Sequence, residues 1–287
     1  MQHYRTLGLA AIGAAVGIVA ASAVAAQERV APNAWGYDFA PRYDAEVAAP
    51  AVHRIRYGDD HILLMEVANP PGYAMQLHGH PYPSIFARSS GTTHLGGGGP
   101  GDQYLEPTGG RNGEHWHSAP PPRATPSLEC TAADPQAPHR PVNRGTVPQH
   151  FYRIEFRHFD ETGTQTALRG GETRLYEDAA VRLVAVRLPP GESNQPRAAR
   201  FPAILAVDTQ RAFEALDAAI GPAAGRSLPP TGLEMPRCMT LDAGAVLAVH
   251  NRGRATLQYY RLDFKRVEGA ALAAHWRAWY PFMTRMR

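Results

Sequence analysis

The sequence predicts an all-β protein made of two β-barrels in tandem, with short helices on the outside. Twenty-seven glycines and 26 prolines among 287 residues indicate frequent turns between short strands. Apolar runs of strand length recur between these turns, for example at residues 61–67 and 151–156. In addition, the second half of the chain repeats motifs of the first, which indicates a duplicated domain.

The repeat has two offsets. Pro189, Pro190 and Gly191 lie 119 positions after Pro70, Pro71 and Gly72, and residues 201–205 match residues 82–86 at the same offset. Later in each half the offset is 108, so that residues 260–264 match residues 152–156. The central loop of the first repeat is therefore expected to be longer by 11 residues.

Residues 1–26 predict a secretory signal peptide, because Arg5 precedes a small and apolar run and small residues at 23–26 fit cleavage. A membrane anchor is the alternative, but the run is shorter than the roughly 20 residues that a span needs. We therefore expect a periplasmic or secreted protein with no stable membrane anchor after cleavage. Nucleic-acid binding is not expected, because the formal net charge is only +3 and no basic stripe is present.

The remaining chain divides into an arm and two barrels. Residues 27–51 contain scattered aromatic side chains and predict an arm that lies on the first barrel. Residues 52–168 predict the first barrel, with an unusually long glycine- and proline-rich loop at 92–128. Residues 169–287 predict the second barrel, and helical patterns at 210–220 and from residue 269 onward predict its helices.

A histidine pair follows the first Pro-Pro-Gly turn. His78 and His80 are separated by one residue, so on a strand both side chains point to the same face. Two imidazoles on one strand supply half of a metal site. The pair therefore predicts a metal centre in the first barrel.

The spacing around this pair resembles the two sequence motifs of the cupin superfamily. Gly72, His78, His80 and Gly91 fall on the first motif, and His139 and Asn143 fall on the second. Ser84 stands where the first motif has a glutamate, and Asp134-Pro135-Gln136 replaces the Pro-x-Gly of the second. The resemblance implies two double-stranded β-helix (jelly-roll) barrels, a metal ion held by His78, His80 and His139, and a homodimer.

The internal repeat provides a control for these ligands. At the offsets above, the four motif positions change from His78, His80, Ser84 and His139 to Arg197, Ala199, Ala203 and Leu247. The fold alone therefore does not require histidines there, which favours a functional role in the first barrel. Neutral imidazoles leave the charge of a divalent ion uncompensated, which favours an anionic ligand. Fe, Mn, Ni, Cu and Zn are not distinguished by this ligand set.

Other side chains are candidates for contacts with the metal ligands or the substrate. Ser84 is a candidate to orient a metal-bound water. Arg88 and Arg140 either bind a substrate carboxylate or are solvated residues at the rim of the barrel. The remaining candidates, each with a plain loop or strand-end role as the alternative, are Asn143, His150, His115 and His117. Cys130 and Cys238 occupy equivalent positions in the two repeats, so they form either a bridge between the barrels or two unpaired buried thiols.

Together these observations predict an exported bicupin whose first barrel binds a divalent metal ion and acts on a small, anionic organic molecule. Oxygenase, isomerase and lyase chemistry all remain open. The alternative is a non-catalytic ligand-binding or structural bicupin that has lost its activity, and the missing glutamate and glycine favour it.

Overall fold

The computed structural model describes residues 29–70, 73–89, 103–104, 128–141, 149–157, 171–207, 216 and 236–265. The predicted signal peptide, the C-terminal helix and most of loop 92–128 lie outside these residues. Of the helix predicted at 210–220 only Leu216 is described, and it is helical and buried. Within the described residues, no helix is long and apolar enough to cross a membrane.

The first half contains two small helical turns and two antiparallel sheets. Its described elements are a 3-10 helix (Pro41–Tyr43), α1 (Ala45–Ala48), β1 (His53–Gly58), β2 (Ile62–Asn69), β3 (His78–His80), β4 (Ser84–Ser89), β5 (Gln103–Tyr104), β6 (Leu128–Ala133), β7 (Gln136–Arg140) and β8 (Gln149–Phe156). The larger sheet has the order β1-β2-β8-β4-β6, and the smaller has β3-β7-β5. From β2 to β8 each successive strand lies in the other sheet, which is a jelly-roll path.

The second half has the same plan. Its described strands are β9 (Gly171–Glu177), β10 (Val181–Leu188), β11 (Arg197–Ala198), β12 (Ala203–Val207), β13 (Arg237–Leu241), β14 (Val246–Leu247) and β15 (Leu257–Phe264). The larger sheet has the order β13-β12-β15-β10-β9, and β11 pairs with β14.

Main-chain pairing reproduces the sequence repeat residue by residue. Equivalent pairs are Ile62–Phe156 and Val181–Phe264, Ala87–Cys130 and Ala206–Cys238, and His78–His139 and Arg197–Leu247. In every case the first member moves by 119 positions and the second by 108. The predicted fold class, an all-β chain of two tandem jelly-roll barrels, is confirmed.

Both faces of the two large sheets are buried. On β2, Ile62 and Leu64 join a core that contains Leu183 and Leu262 of the second half, so this core lies between the sheets. The alternate residues of the same strand, such as Met65, pack in the interior of the first barrel. Since side chains alternate along a strand, each large sheet contributes one face to the interior of its own barrel and the other face to the common core.

A disulfide joins the two halves. Cys130 on β6 and Cys238 on β13 are bonded, with their Cα atoms 6.2 Å apart, and they are 108 positions apart in sequence. The two thiols that the sequence left either bridged or unpaired are therefore bridged. The bond connects equivalent edge strands of the two large sheets.

The N-terminal arm lies along the histidine strand of the first barrel. Tyr37, Phe39 and Tyr43 are buried together, and the Nδ2 of Asn33 donates a hydrogen bond of 2.8 Å to the carbonyl of Pro81. The Tyr37 hydroxyl occupies the space that a side chain at position 79 would need, and a Cβ there would also lie 3.0 Å from the carbonyl oxygen of Gln136. Glycine at 79 thus lets the arm and β7 close over the two histidines.

Candidate metal centre

Three strands bring four histidines together inside the first barrel. His78 and His80 lie on β3, His78 pairs directly with His139 on β7, and His53 begins β1. All four side chains are buried, with exposed fractions between 1% and 4%. The structure therefore brings together the three ligands that the sequence predicted and adds His53.

The distances within this cluster suit a shared ion. One ring nitrogen each of His53, His78 and His80 lies within 4.8 Å of the other two. The ring centroid of His139 lies 4.8 Å from that of His78 and 5.9 Å from that of His80. His53, His78 and His80 thus form the tighter group, and His139 lies beside it.

Hydrogen bonds select the tautomer of each ring. The Nδ1 atoms of His53, His78 and His139 lie 3.2, 2.7 and 2.9 Å from the main-chain carbonyls of Ala49, Gln76 and Ala137. A carbonyl oxygen only accepts, so Nδ1 must carry the proton and Nε2 keeps the lone pair. A lone pair on Nε2 is what a metal ligand requires, and the partner at Nδ1 fixes the plane of the ring.

Burial keeps these imidazoles neutral. It lowers the pKa of His53 to about 3 and that of His139 to about 4, and it places the pKa of His78 and of His80 well below the ordinary value. The nearby charge of Arg153 lowers the pKa of each ring further. At neutral pH the cluster therefore offers neutral imidazoles, the form that binds metal.

A carboxylate contacts the cluster from the neighbouring strand. The Nδ1 of His80 donates to Oε1 of Glu155, at 2.7 Å, and both side chains are buried. Burial raises the pKa of Glu155 to about 7, although Arg153 acts in the opposite direction. Because the pKa of His80 is lowered, this contact is a hydrogen bond from a neutral ring and not an ion pair.

Ser84 stands directly across the sheet from Glu155. The two residues are paired between β4 and β8, so their side chains share the interior face. The Ser84 side chain is fully buried, and its Oγ has no hydrogen-bond partner among the described residues. The carboxylate that the first motif lacks at position 84 is therefore supplied by β8, where it orients His80 through Nδ1.

Arg153 is the buried cation beside the histidines. Its side chain is 1% exposed, and its Nε lies 3.2 Å from Oε1 of Glu155. Its Nη1 donates to Oε1 of Gln136 at 2.5 Å, and its guanidinium lies 4.7 Å from the centroid of the Phe86 ring. Burial lowers its pKa only to about 10, so it stays charged at neutral pH.

The other sequence candidates lie elsewhere. Arg88 stacks on Phe86 and Phe151 in the apolar part of the barrel interior. Arg140 is exposed, because its neighbour His139 takes the inward position on β7. His150 does not reach the cluster; its ring lies on the opposite face of β8, where Nε2 is 2.7 Å from Oε1 of Glu66. The candidates His115, His117 and Asn143 lie outside the described residues.

A small pocket lies beside Glu155. It has room for about one water molecule and is partly open to solvent, and Asp44, Glu46, Tyr82 and Arg157 are among its lining residues. Glu155 also lines it, so this carboxyl faces the pocket on one side and His80 on the other.

Sequence reasoning missed three residues of the site, His53, Arg153 and Glu155. Arg153 and Glu155 are two charged residues at alternate positions of an otherwise apolar strand, and that alternation was a usable signal for an inward-facing polar pair. The second half repeats this pair as Arg261 and Asp263, so comparison of the two halves does not mark it as specific to the first barrel. His53 belongs to no motif, and only the fold brings it to the cluster.

No protein-family model matches the sequence, and no curated protein matches it. Among solved structures, the chain is similar to a cupin 2 conserved barrel domain protein from Leptotrichia buccalis, with 8% identity over 72% of this chain and 86% of that one, and a TM-score of 0.24.

Two further solved structures are similar. The bacterial pirin YhhW from Escherichia coli, in complex with nickel(II), matches 83% of this chain and 96% of its own at 11% identity and a TM-score of 0.24. Salicylate 1,2-dioxygenase from Pseudoaminobacter salicylatoxidans, as adducts with gentisate, matches 72% of this chain and 69% of its own at 10% identity and a TM-score of 0.23.

Proposed function

We propose that this chain is an exported bicupin whose first barrel binds one divalent metal ion and acts on a small, anionic organic molecule. The observation that carries the proposal is the group formed by His53, His78 and His80. These rings are buried and neutral, and each presents an unprotonated Nε2. Imidazole ligands suit Fe, Ni, Cu and Zn better than Mn, which prefers oxygen ligands.

The residues of the site fit such an ion. Three imidazoles hold it and leave coordination positions open, which is typical of catalytic rather than closed structural sites. An ion there supplies Lewis-acid polarisation of a substrate oxygen. Glu155 orients His80, and with a pKa raised to about 7 it can hold or release a proton near neutral pH.

One observation favours the alternative, a non-catalytic bicupin. The four histidines are at most 4% exposed, and His139 lies close enough to the other rings to act as a fourth ligand after a small movement. Four imidazoles would close the coordination sphere of a zinc ion and make the site structural. The contribution of His139 to metal binding therefore separates the two functions.

Elemental analysis of the untagged protein tests the proposal. We expect close to one metal ion per chain, lost in a His78→Ala, His80→Ala double variant. The matched control is His150→Ala, which removes a buried histidine on the opposite face of β8 and should leave the metal content unchanged. A folded protein that takes up none of Fe, Ni, Cu, Zn or Mn contradicts the proposal.

Two further measurements complete the test. His139→Ala should retain metal if the site is a three-histidine catalytic centre, and should lose it if His139 closes a structural site. Export is tested by mass spectrometry of the periplasmic and secreted fractions, where the mature chain should begin near Gln27. A protein that keeps residues 1–26 contradicts the export prediction.

A further inference from the structure

The second barrel shows what occupies the same interior when histidines are absent. Strand pairing makes Glu172 the equivalent of His53, because His53 pairs with Val67 and Glu172 with Val186. By the same register, Arg261 is the equivalent of Arg153 and Asp263 that of Glu155. The arginine and the strand-end carboxylate are thus common to both barrels, and the residue at position 53 or 172 differs.

In the second barrel two carboxylates bind the buried guanidinium. The Nε of Arg261 donates to Oδ1 of Asp263 at 2.9 Å. Its Nη1 and Nη2 donate to Oε1 and Oε2 of Glu172, at 3.0 and 3.4 Å. Both carboxylate oxygens of Glu172 therefore accept hydrogen bonds from the guanidinium, which is the bidentate arrangement of an arginine–carboxylate pair.

In the first barrel this second carboxylate is missing. Arg153 contacts Glu155, the equivalent of Asp263, and its Nη1 donates a hydrogen bond to the neutral amide of Gln136. Its Nη2 is buried and has no hydrogen-bond partner among the described residues. A buried charged donor is rarely left without an acceptor, so an acceptor beyond the described residues is expected here, and a bound ligand would supply it.

We propose that Arg153 binds the carboxylate group of the first barrel's ligand, as Arg261 binds the carboxylate of Glu172 in the second barrel. The inference rests on the proposed function, since it places this ligand beside the histidine cluster, and it names the ligand class as an organic carboxylate. The charges agree: among the described residues, Glu155 is the carboxylate in contact with both Arg153 and the histidine cluster, and a divalent ion on neutral histidines would add to the positive charge of Arg153. A ligand carboxylate lowers this buried excess of positive charge.

Acetate is the probe that tests this inference. Line broadening of the acetate methyl signal in ¹H NMR spectra measures binding to the metal-free and to the zinc-loaded protein, and acetamide serves as the neutral probe of the same shape. We expect acetate to bind and acetamide not to bind. Arg153→Lys keeps the positive charge but removes the planar guanidinium that can donate two hydrogen bonds to a carboxylate. This variant should bind acetate more weakly, by about tenfold or more.

Two variants keep the test decisive. Arg261→Lys alters the equivalent arginine of the second barrel and should leave acetate binding unchanged. His53→Glu, studied without metal, puts a carboxylate where Glu172 lies in the other barrel and should abolish acetate binding although Arg153 is intact. Circular dichroism of each variant verifies its fold.

The outcomes separate this inference from the proposed function. A protein that takes up no metal but binds acetate through Arg153 contradicts the metal proposal and supports carboxylate binding by Arg153. Carboxylate binding by Arg153 is contradicted if the protein binds zinc but acetate binds equally well to Arg153→Lys and to the unaltered chain. Equal binding of acetate and acetamide, or of acetate to His53→Glu, overturns it as well.

Discussion

The Nδ1 of His80 lies 2.7 Å from Oε1 of Glu155, and this hydrogen bond joins the small sheet of the first barrel to its large sheet. The two residues are 75 positions apart in sequence. The bond fixes the ring of a proposed metal ligand from a strand that carries no cupin motif, so Glu155 should matter for metal binding although it is not itself a ligand.

We therefore expect Glu155→Gln to weaken metal binding by about 10- to 100-fold, because the bond that orients His80 loses its charged acceptor. Competition with a chelator of known zinc affinity measures the change. Glu66→Gln is the matched control, since Glu66 is also a buried carboxylate 2.7 Å from a histidine, but on the other face of the sheet. An equal loss of affinity in both variants contradicts a specific role for Glu155.

Gly79→Ala should destabilise the protein by about 1–3 kcal/mol, because the new methyl group collides with the Tyr37 hydroxyl and the Gln136 carbonyl. The free energy of unfolding in urea measures this loss. Limited proteolysis should also cleave the arm around residues 29–44 faster than in the unaltered chain. Tyr37→Phe in the same chain removes the hydroxyl and should recover part of the loss; no recovery would show that the arm does not press on position 79.

Removal of the disulfide should lower stability without removing the metal site. Cys130 and Cys238 close a loop of 108 residues, and the chain-entropy estimate for such a loop is about 4–5 kcal/mol. Denaturation with and without reductant measures the difference, and a Cys130→Ala, Cys238→Ala variant should no longer respond to reductant. If reduction of the disulfide also released the metal, the prediction that the metal site does not depend on the disulfide would be wrong.

The metal-free protein should become less stable as the pH falls from about 6.5 towards 4. The four clustered histidines take up protons at their ordinary pKa of 6.5 when unfolded, but in the folded state His139 does so only near 4 and His53 near 3. The unfolded chain then binds more protons, so stability decreases with falling pH. Glu155 and Asp44, whose pKa values are raised to about 7 and about 6, act in the opposite direction, but they are two groups against four. Urea denaturation between pH 7.5 and 4 measures the trend, and a constant or rising stability contradicts it.

The parts of this structure that follow from periodicity and repetition could be predicted from the sequence. The two sequence offsets predict the register of every equivalent strand pair compared above, because two copies of a duplicated domain have the same strand pairing. His78 and His80 were found because alternation on a strand puts both on one face. His139 follows from the resemblance of His139 and Asn143 to the second cupin motif, and the structure pairs His139 with His78.

The remaining site residues depend on contacts between distant strands. Nothing local in the sequence marks His53, which faces His78 with ring centroids 4.4 Å apart only after β1 has joined the large sheet. His150 is a candidate from the sequence, but the parity of β8 places its side chain on the same face as Tyr152, away from Arg153 and Glu155. A shift of one residue along this strand decides which of its two faces a side chain joins, and the sequence alone does not fix that parity.

The core shared by the two large sheets bears on the history of this chain. When an ancestral barrel was duplicated, each copy came to cover an apolar face of the other, with Ile62 and Leu64 of one copy packed in the same core as Leu183 and Leu262 of the other. Glu172 and Arg197, which stand at the positions of His53 and His78, lie away from this core, so the residues inside a barrel can differ without exposing the shared apolar face to water. Each barrel therefore belongs to the folding unit of the other, whatever its own interior binds.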